Sequence, residues 1–206
     1  MKTYTVPTYL FVQQMQDHQS VKKVLLEEFE KVDSESRVSN HENITATDWM
    51  YRGGLRNWEV SFKEHLYQVL EELKQPMLAD TVSIDSIWFQ QYLFKDYHSW
   101  HTHSGTNYSS VYFVECPQNM QTEFFDPVNQ QIIKDITVNE GDIITFPSQV
   151  YHRSKPNLTE ERKTIVSWNS NFLSSDDNKI VNMLSNSDNP EYVQEGFNNG
   201  QSVQFD

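Results

Sequence analysis

Residues 141–152 read GDIITFPSQVYH, and this stretch decides the class of fold. Gly141 and Pro147 are turn-forming residues, and between them lies a short apolar run rich in isoleucine and threonine. Such a run, about four to eight residues long, is typical of a buried β-strand. The stretch ends at His152, whose imidazole can ligate a metal ion.

Five other segments have the same character, and turn residues separate them. They are short and rich in β-branched and aromatic residues, which favours a barrel or a sandwich, with the double-sheet jelly roll as one possible form. The sequence therefore predicts a mainly β core beginning near residue 81. The segments are Ser86–Phe94, Ser109–Glu115, Thr122–Phe125, Gln131–Val138 and Lys163–Trp168.

Two amphipathic helices are predicted ahead of this core. Apolar residues recur at helical spacing from Ser20, a possible N-cap, to Val32, and again from Val60 to Leu73, ahead of Pro76. Residues 33–56 between them are rich in Ser, Asn, Asp and Gly and are predicted to form a loop. We therefore expect a single domain made of a helical support region (1–80), a β core (81–173) and a polar, acidic tail (174–206).

Composition limits the partners and the compartment. The 16 basic and 29 acidic residues give a net charge of −13, which repels phosphate backbones, so no nucleic-acid partner is expected. Cys116 is the one cysteine, and no signal peptide or long apolar run is present, so we expect a cytoplasmic protein without a membrane partner. The acidic tail is expected to pack poorly, with a lid or a partner-binding arm as the alternative. The sequence leaves the oligomeric state open.

Residues 97–103 read YHSWHTH and form a cluster of histidines. On a strand, His101 and His103 project from the same face because they are two residues apart. His152 is a suitable distant third ligand, and three ligands on one side of a metal leave the other coordination positions open. Non-haem iron oxygenases need this arrangement. The alternative is that these histidines are grouped by chance or are hydrogen-bonded in the core.

Arg162 lies ten residues after His152, at the start of the last predicted strand. A guanidinium beside a metal can hold a carboxylate through two parallel hydrogen bonds, and the hydroxyl of Thr164 on the same face can assist. The alternative is a rim arginine paired with Glu160 or Glu161.

Five elements in a fixed order carry a resemblance to a known family. They read HTH (101–103), SSVYFVECP (109–117), FFDP (124–127), GDIITFPSQVYH (141–152) and ERKTIVSWN (161–169). The stretch from residue 89 to residue 172 resembles the 2-oxoglutarate- and Fe(II)-dependent oxygenases. The similarity is greatest to their prolyl-hydroxylase-like branch, in a group of oxygenases from phages and bacteria that carries a His-x-His element.

The resemblance implies a double-stranded β-helix of the cupin-like, jelly-roll kind. It implies a hydroxylase that uses Fe(II), 2-oxoglutarate and O₂ on an unactivated C–H bond of a peptide or a small molecule. The metal ligands of the family match His101 and His152, and Arg162 matches the residue that binds the far carboxylate of 2-oxoglutarate. The remaining residues of that subsite match Thr164, Tyr92 and His98, the last standing where the branch has a tyrosine.

His103 departs from the family, which has a carboxylate at this position. Three histidines also ligate iron in dioxygenases that do not use 2-oxoglutarate, and this is the first alternative function. A non-catalytic β-helix that serves as a binding module is the second. Asp96 is a further carboxylate near His101, but it lies outside the spacing of the motif.

Overall fold

The structure, a computed structural model, describes residue 2, residues 8–33 and residues 42–174. These residues form a mainly β fold with two helices, as the sequence predicts. The helices are α1 (His18–Phe29) and α2 (Asn57–Lys74). The strands are β1 (Phe11–Gln14), β2 (Ala46–Thr47), β3 (Thr81–Tyr92), β4 (His98–His101), β5 (Tyr108–Glu115), β6 (Glu123–Asp126), β7 (Gln131–Ile133), β8 (Asp142–Pro147), β9 (His152–Ser154) and β10 (Lys163–Leu173).

The strands form two antiparallel sheets. The larger sheet has the order β1-β8-β5-β10-β3-β2, and the smaller has the order β4-β9-β6-β7. Phe124 of the smaller sheet packs in one hydrophobic cluster with Phe113, Phe146 and Ile165 of the larger sheet, so the inner faces of the two sheets meet. This inner space is where the candidate site lies.

The two helices cover the outer face of the larger sheet. Phe29 of α1 stacks on Phe89 with ring centroids 4.3 Å apart, and Phe62 of α2 stacks on Tyr112 at 5.7 Å. Stacked aromatic rings at these distances bury large apolar areas. The helices therefore support the sheet from outside, and the space between the sheets stays available for polar groups.

Both helices differ at their ends from the sequence-based prediction. α1 begins at His18, with Asp17 in the N-cap position at a φ of 52°, so Ser20 lies inside the helix and does not cap it. The last turn tightens, because Val32 N–H bonds to the carbonyl of Phe29, three residues earlier. α2 begins at Asn57, ahead of the predicted start.

Two strands lie within the region predicted as helical support. β1 pairs with β8 at one edge of the larger sheet, and β2 pairs with β3 at Gln90 and Gln91 at the other edge. The region predicted as helical support therefore also contributes two short edge strands. Strands of four and two residues have too little periodicity to be recognised, and both exist only through pairing with distant partners.

The strand from Asp142 to Pro147 and the strand that carries His101 lie in different sheets, because β8 belongs to the larger sheet and β4 to the smaller. After Pro147 the chain crosses to the smaller sheet, where β9 pairs with β4. The segment Gln131–Val138 forms a strand only as far as Ile133, because its partner β6 is equally short.

The predicted acidic tail, residues 174–206, lies outside the described residues except for Ser174. No helix in the described ranges is long and apolar enough to cross a bilayer.

Gly141 provides a test of the turn that leads into β8. Its φ is +92°, and a Cβ added there would lie 3.1 Å from the ring of His18, whereas Gly105 has a φ of +80° with open space around it. Gly141→Ala should lower the free energy of unfolding by about 1–3 kcal/mol, because it combines backbone strain with a steric contact. Gly105→Ala carries the strain alone and should cost less. Urea unfolding of both variants measures the difference, and equal losses would contradict a role for the His18 contact.

Candidate metal centre

Three of the predicted site residues converge between the sheets. β4 and β9 pair so that His101 lies directly opposite His152, with ring centroids 4.2 Å apart. His103 lies just beyond the end of β4, where its backbone N–H bonds to the carbonyl of Ser148 at 2.9 Å. One ring nitrogen from each histidine lies within 4.8 Å of the others. The structure therefore brings all three predicted ligands to one point.

Backbone carbonyls fix which ring nitrogen of His101 and of His152 is free to bind a metal. Nδ1 of His101 lies 2.7 Å from the carbonyl of Ser99, and Nδ1 of His152 lies 2.9 Å from that of Val150. Because a carbonyl oxygen only accepts, each Nδ1 carries the proton and each Nε2 presents a lone pair. A hydrogen bond of this kind is how metal-binding histidines are usually oriented.

The spacing of the free nitrogens fits a divalent metal. Nε2 of His103 and Nε2 of His152 are 3.3 Å apart. Two imidazole nitrogens bound at right angles to one metal, each about 2.1 Å from it, would be about 3.0 Å apart. The three residues present are therefore suited to hold a divalent metal ion.

Burial keeps the three imidazoles neutral. Burial, followed by the nearby charge of His101, lowers the pKa of His152 to about 2 and that of His103 to about 4. Burial also lowers the pKa of His101. Neutral imidazole is the form that ligates a metal, so the site is ready to bind at pH 7 without releasing protons.

His98 lies against this cluster. Its ring stacks on His101 with centroids 4.0 Å apart, and its Nε2 lies 3.4 Å from a carboxylate oxygen of Glu42. Burial and the neighbouring histidines lower the pKa of His98 to about 3, so its contact with Glu42 at neutral pH is not an ion pair. The ring of His98 thus supports the position of His101.

Lys163 is the buried cation of the site. Its side chain is fully buried, its Nζ donates to Ser154 Oγ at 2.8 Å, and it lies 5.4 Å above the ring of Tyr92. No carboxylate of the described residues is in ion-pair contact with it, and burial lowers its pKa to about 8. A buried cation without an anion is costly, so this position is suited to an anionic ligand.

Arg162 and Thr164 lie on the opposite face of β10. Arg162 holds Glu115 in two parallel hydrogen bonds, of 2.7 Å from Nε and 3.1 Å from Nη2, and the hydroxyl of Thr164 donates to the same carboxylate. Alternate residues of a strand point to opposite faces, and the face of Thr164 is the one that the helices cover. Both residues are therefore turned away from the histidines, and the partner of Arg162 is neither Glu160 nor Glu161.

Three further polar side chains of β3 face the site. Tyr92 is fully buried opposite Lys163, and burial raises the pKa of its hydroxyl, which stays protonated. Gln90 Nε2 and Trp88 Nε1 are buried and have no hydrogen-bond partner among the described residues. The ring of Trp88 also stacks against His103, with centroids 5.9 Å apart. Unpartnered buried donors at one place indicate a missing acceptor.

Sequence reasoning missed Lys163, Gln90 and Trp88. The strand period does place Lys163 on the same face as Ile165 and Ser167, but the sequence does not show which face of that strand meets the histidines. Asp96, the carboxylate outside the motif, accepts from the N–H of Leu93 at 3.0 Å and shapes the turn after β3.

No protein-family model matches the sequence, and no curated protein matches it. Among solved structures, the chain is similar to a prolyl-4-hydroxylase of Pseudomonas putida at 12% identity and a TM-score of 0.58, over 79% of this chain and 92% of that one. It is similar to the viral collagen prolyl hydroxylase of Paramecium bursaria Chlorella virus-1, in complex with 2-oxoglutarate, at 13% identity and 0.55, over 81% and 97%. It is also similar to the non-haem α-ketoglutarate-dependent epimerase SnoN from nogalamycin biosynthesis, at 12% identity and 0.61, over 79% and 76%.

These similarities confirm the resemblance to prolyl hydroxylases and related 2-oxoglutarate- and iron-dependent oxygenases. At this level of identity the shared property is the fold. The three-histidine cluster of this chain lies within that fold.

The metal-free protein should lose stability steeply in acid. The unfolded chain takes up protons on histidine near pH 6.5, whereas His103 in the folded chain stays neutral down to about pH 4. The unfolded state therefore binds more protons below about pH 6.5, and each such histidine removes about 1.4 kcal/mol of stability per pH unit in that range. Chemical unfolding between pH 7 and pH 4.5 measures the slope. His98→Phe keeps a planar ring that cannot take up a proton, so this variant should show a smaller slope of stability against pH. An unchanged slope would argue against a neutral His98.

Proposed function

We propose that the chain is an Fe(II)- and 2-oxoglutarate-dependent dioxygenase on a double-stranded β-helix, acting as a hydroxylase of an unactivated C–H bond. The observation that carries the proposal is a fully buried lysine, without a carboxylate partner among the described residues, that bonds to Ser154 of β9, the strand that carries His152 of the three converging neutral histidines. The histidines offer a metal site, and Lys163 offers a site for a dianion that chelates the metal at one end. Either feature alone would fit several classes of protein.

The proposed roles follow from the positions of the side chains. His101, His103 and His152 would hold Fe(II), and Lys163 would bind the far carboxylate of 2-oxoglutarate in place of Arg162. The bound iron and 2-oxoglutarate together would supply the activation of O₂ for C–H hydroxylation. Of the side chains around Lys163, Tyr92 would donate its phenolic proton to the same carboxylate, and His98 would keep the ring of His101 in place.

The charges in the site favour this ligand. Three neutral imidazoles leave the full +2 charge of Fe(II) uncompensated, and Lys163 adds another positive charge in a buried position. A dianion bound to both would neutralise most of this charge, and its carboxylate would raise the pKa of the lysine toward the ordinary value. The replacement of a carboxylate ligand by His103 thus increases the attraction for 2-oxoglutarate.

Binding would require side chains to move. The space beside the histidines measures about 30 Å³, which is room for about one water molecule. Gln90 and Trp88 line this space and have no side-chain hydrogen bond to lose within the described residues. They are therefore the side chains expected to shift, and their free donors would gain acceptors on the ligand.

The substrate class proposed is a peptide, with a small molecule as the alternative. Two of the structures that share the fold are prolyl hydroxylases, one of them acting on collagen, which supports a peptidyl substrate. SnoN, which shares the fold equally well, is an epimerase from nogalamycin biosynthesis, and this supports the alternative. Fold alone is a weak guide to the substrate.

A three-histidine dioxygenase that does not use 2-oxoglutarate is the second candidate function. The observation in its favour is His103, since no carboxylate joins the ligand cluster among the described residues. Anaerobic titration of 2-oxoglutarate into the Fe(II)-loaded protein separates the two candidates. Binding with a visible charge-transfer band supports the first, and the absence of binding supports the second.

Lys163 and Arg162 form a matched pair for testing the first candidate. Removing one partner of a buried charge pair costs about 2–5 kcal/mol, so Lys163→Ala should weaken 2-oxoglutarate binding roughly 30-fold to several thousand-fold. Arg162→Ala should leave the affinity within about threefold, because its guanidinium is held by Glu115 on the other face of the strand. Calorimetric titration into the Mn(II)-loaded variants without oxygen gives both values.

The affinity for Mn(II) serves as the control for folding and for the metal site. It should be nearly equal in the two variants, because neither residue contacts the histidine cluster. If Arg162→Ala abolished 2-oxoglutarate binding and Lys163→Ala did not, the sequence-based assignment of Arg162 would be restored.

A further inference from the structure

A groove of about 910 Å³ lies next to the metal centre on the outside of the fold. Its walls are the loop 49–56, the first half of α2 and the stretch Ile84–Trp88 of β3, and we call it the α2 groove. Trp88 forms part of both the groove and the metal site, with its ring 6.4 Å from Trp49 on the groove side. Whatever fills the α2 groove therefore lies beside the mouth of the site.

The α2 groove exposes apolar surface that a folded chain normally covers. Leu55, Val60 and Tyr67 are 77%, 58% and 50% exposed, and Tyr51 is also exposed. Exposed apolar residues grouped in one concavity indicate a binding surface. β3 pairs with β10 along one edge and with β2 along the other. Because β2 reaches only Gln90 and Gln91, within the described residues this second edge has no strand neighbour from Thr81 to Trp88.

The α2 groove also carries two cations that lack a carboxylate partner among the described residues. Arg52 bonds only to the carbonyls of Trp49 and Tyr51 and to a sulfur, and Lys63 lies over the ring of Tyr67. The acids of the groove are Glu59, which Arg56 already holds, and Asp85. In a chain of net charge −13, this combination of free cations and apolar surface is suited to an acidic, partly apolar segment.

One segment of this chain has that composition. Residues 176–184 read DDNKIVNML, with two adjacent aspartates, then Asn178 and Lys179, and then four apolar residues in five positions. It begins two residues after Ser174, where the described part of the chain ends. Leu173 pairs with Thr81, and the groove begins at Ile84, three residues further along β3, which is about 10 Å away. The segment reaches the groove with little intervening chain.

We propose that residues 176–184 dock in the α2 groove of their own chain. Asp176 and Asp177 pair with Arg52 and Lys63, and the apolar residues that follow cover Val60 and Tyr67. Tethering raises the effective concentration of such a segment into the millimolar range, which favours it over a separate peptide of the same composition. The inference does not depend on which metal or co-substrate the site uses.

Photo-crosslinking in the full-length chain tests the proposal. The photoreactive residue in the variant Val60→p-benzoylphenylalanine should form crosslinks to residues 176–184 of the same chain. Mass spectrometry identifies the crosslinked peptides. The same group at Val128, which is 68% exposed on the smaller sheet, should not. Arg52→Glu with Lys63→Glu should reduce the yield about three- to tenfold, since each exposed ion pair contributes roughly a two- to threefold factor.

Charge reversal distinguishes docking from structural damage. Asp176→Lys with Asp177→Lys should restore the yield in the Arg52→Glu, Lys63→Glu background, and Lys74→Glu at the far end of α2 should have no effect. Three outcomes would overturn the proposal. In the first, the group at position 60 forms no crosslink or crosslinks only to residues outside 176–184. In the second, crosslinks form only between isotopically distinct copies of the chain. In the third, charge reversal leaves the crosslinking yield unchanged.

Discussion

Strand β10 pairs along both of its edges, and this double pairing is the constraint on which the rest of the structure depends. It bonds to β3 over its whole length and to β5 over most of it. Its residues from Lys163 to Ser170 are all buried, so both of its faces are filled. Val166 and Trp168 pack against the helices on the outer face, whereas Ser167 lines the space between the sheets and Lys163 bonds to Ser154 of the smaller sheet. One strand thus separates the apolar core from the polar site.

The period of a strand explains both what could be predicted and what could not. The alternation His101, Thr102, His103 placed two imidazoles together, and the apolar runs correctly indicated a mainly β core with helices outside. The choice between Arg162 and Lys163 depends on a one-residue shift, which moves a side chain to the opposite face. The face of the strand from which Lys163 projects is fixed by its pairing with Tyr92, a long-range contact that no local pattern reveals. The short edge strands were missed for a similar reason.

Burial lowers the pKa of the histidines and of the lysine in the site alike. The same burial that keeps His103 and His152 neutral also lowers the pKa of Lys163, so the site resists both protonation and permanent positive charge. Arg162, in contrast, is satisfied by Glu115 at a partly exposed position. An arginine cannot lose its proton, so a fully buried position without an anion suits a lysine better. Under the proposed function, a bound anion would offset the energetic cost of burying Lys163.

The orientation of the histidines depends on backbone carbonyls of β4 and of the turn before β9. The carbonyls of Ser99 and Val150 hold the rings of His101 and His152, and the carbonyl of Ser148 holds the backbone of His103. β9 has only three residues and β4 only four, so few backbone hydrogen bonds hold this part of the smaller sheet together. Bonds from a metal to both strands would crosslink them, and binding free energy at such a site becomes folding free energy. A metal bound there would therefore stabilise the smaller sheet, while the larger sheet and its helices support the site from outside.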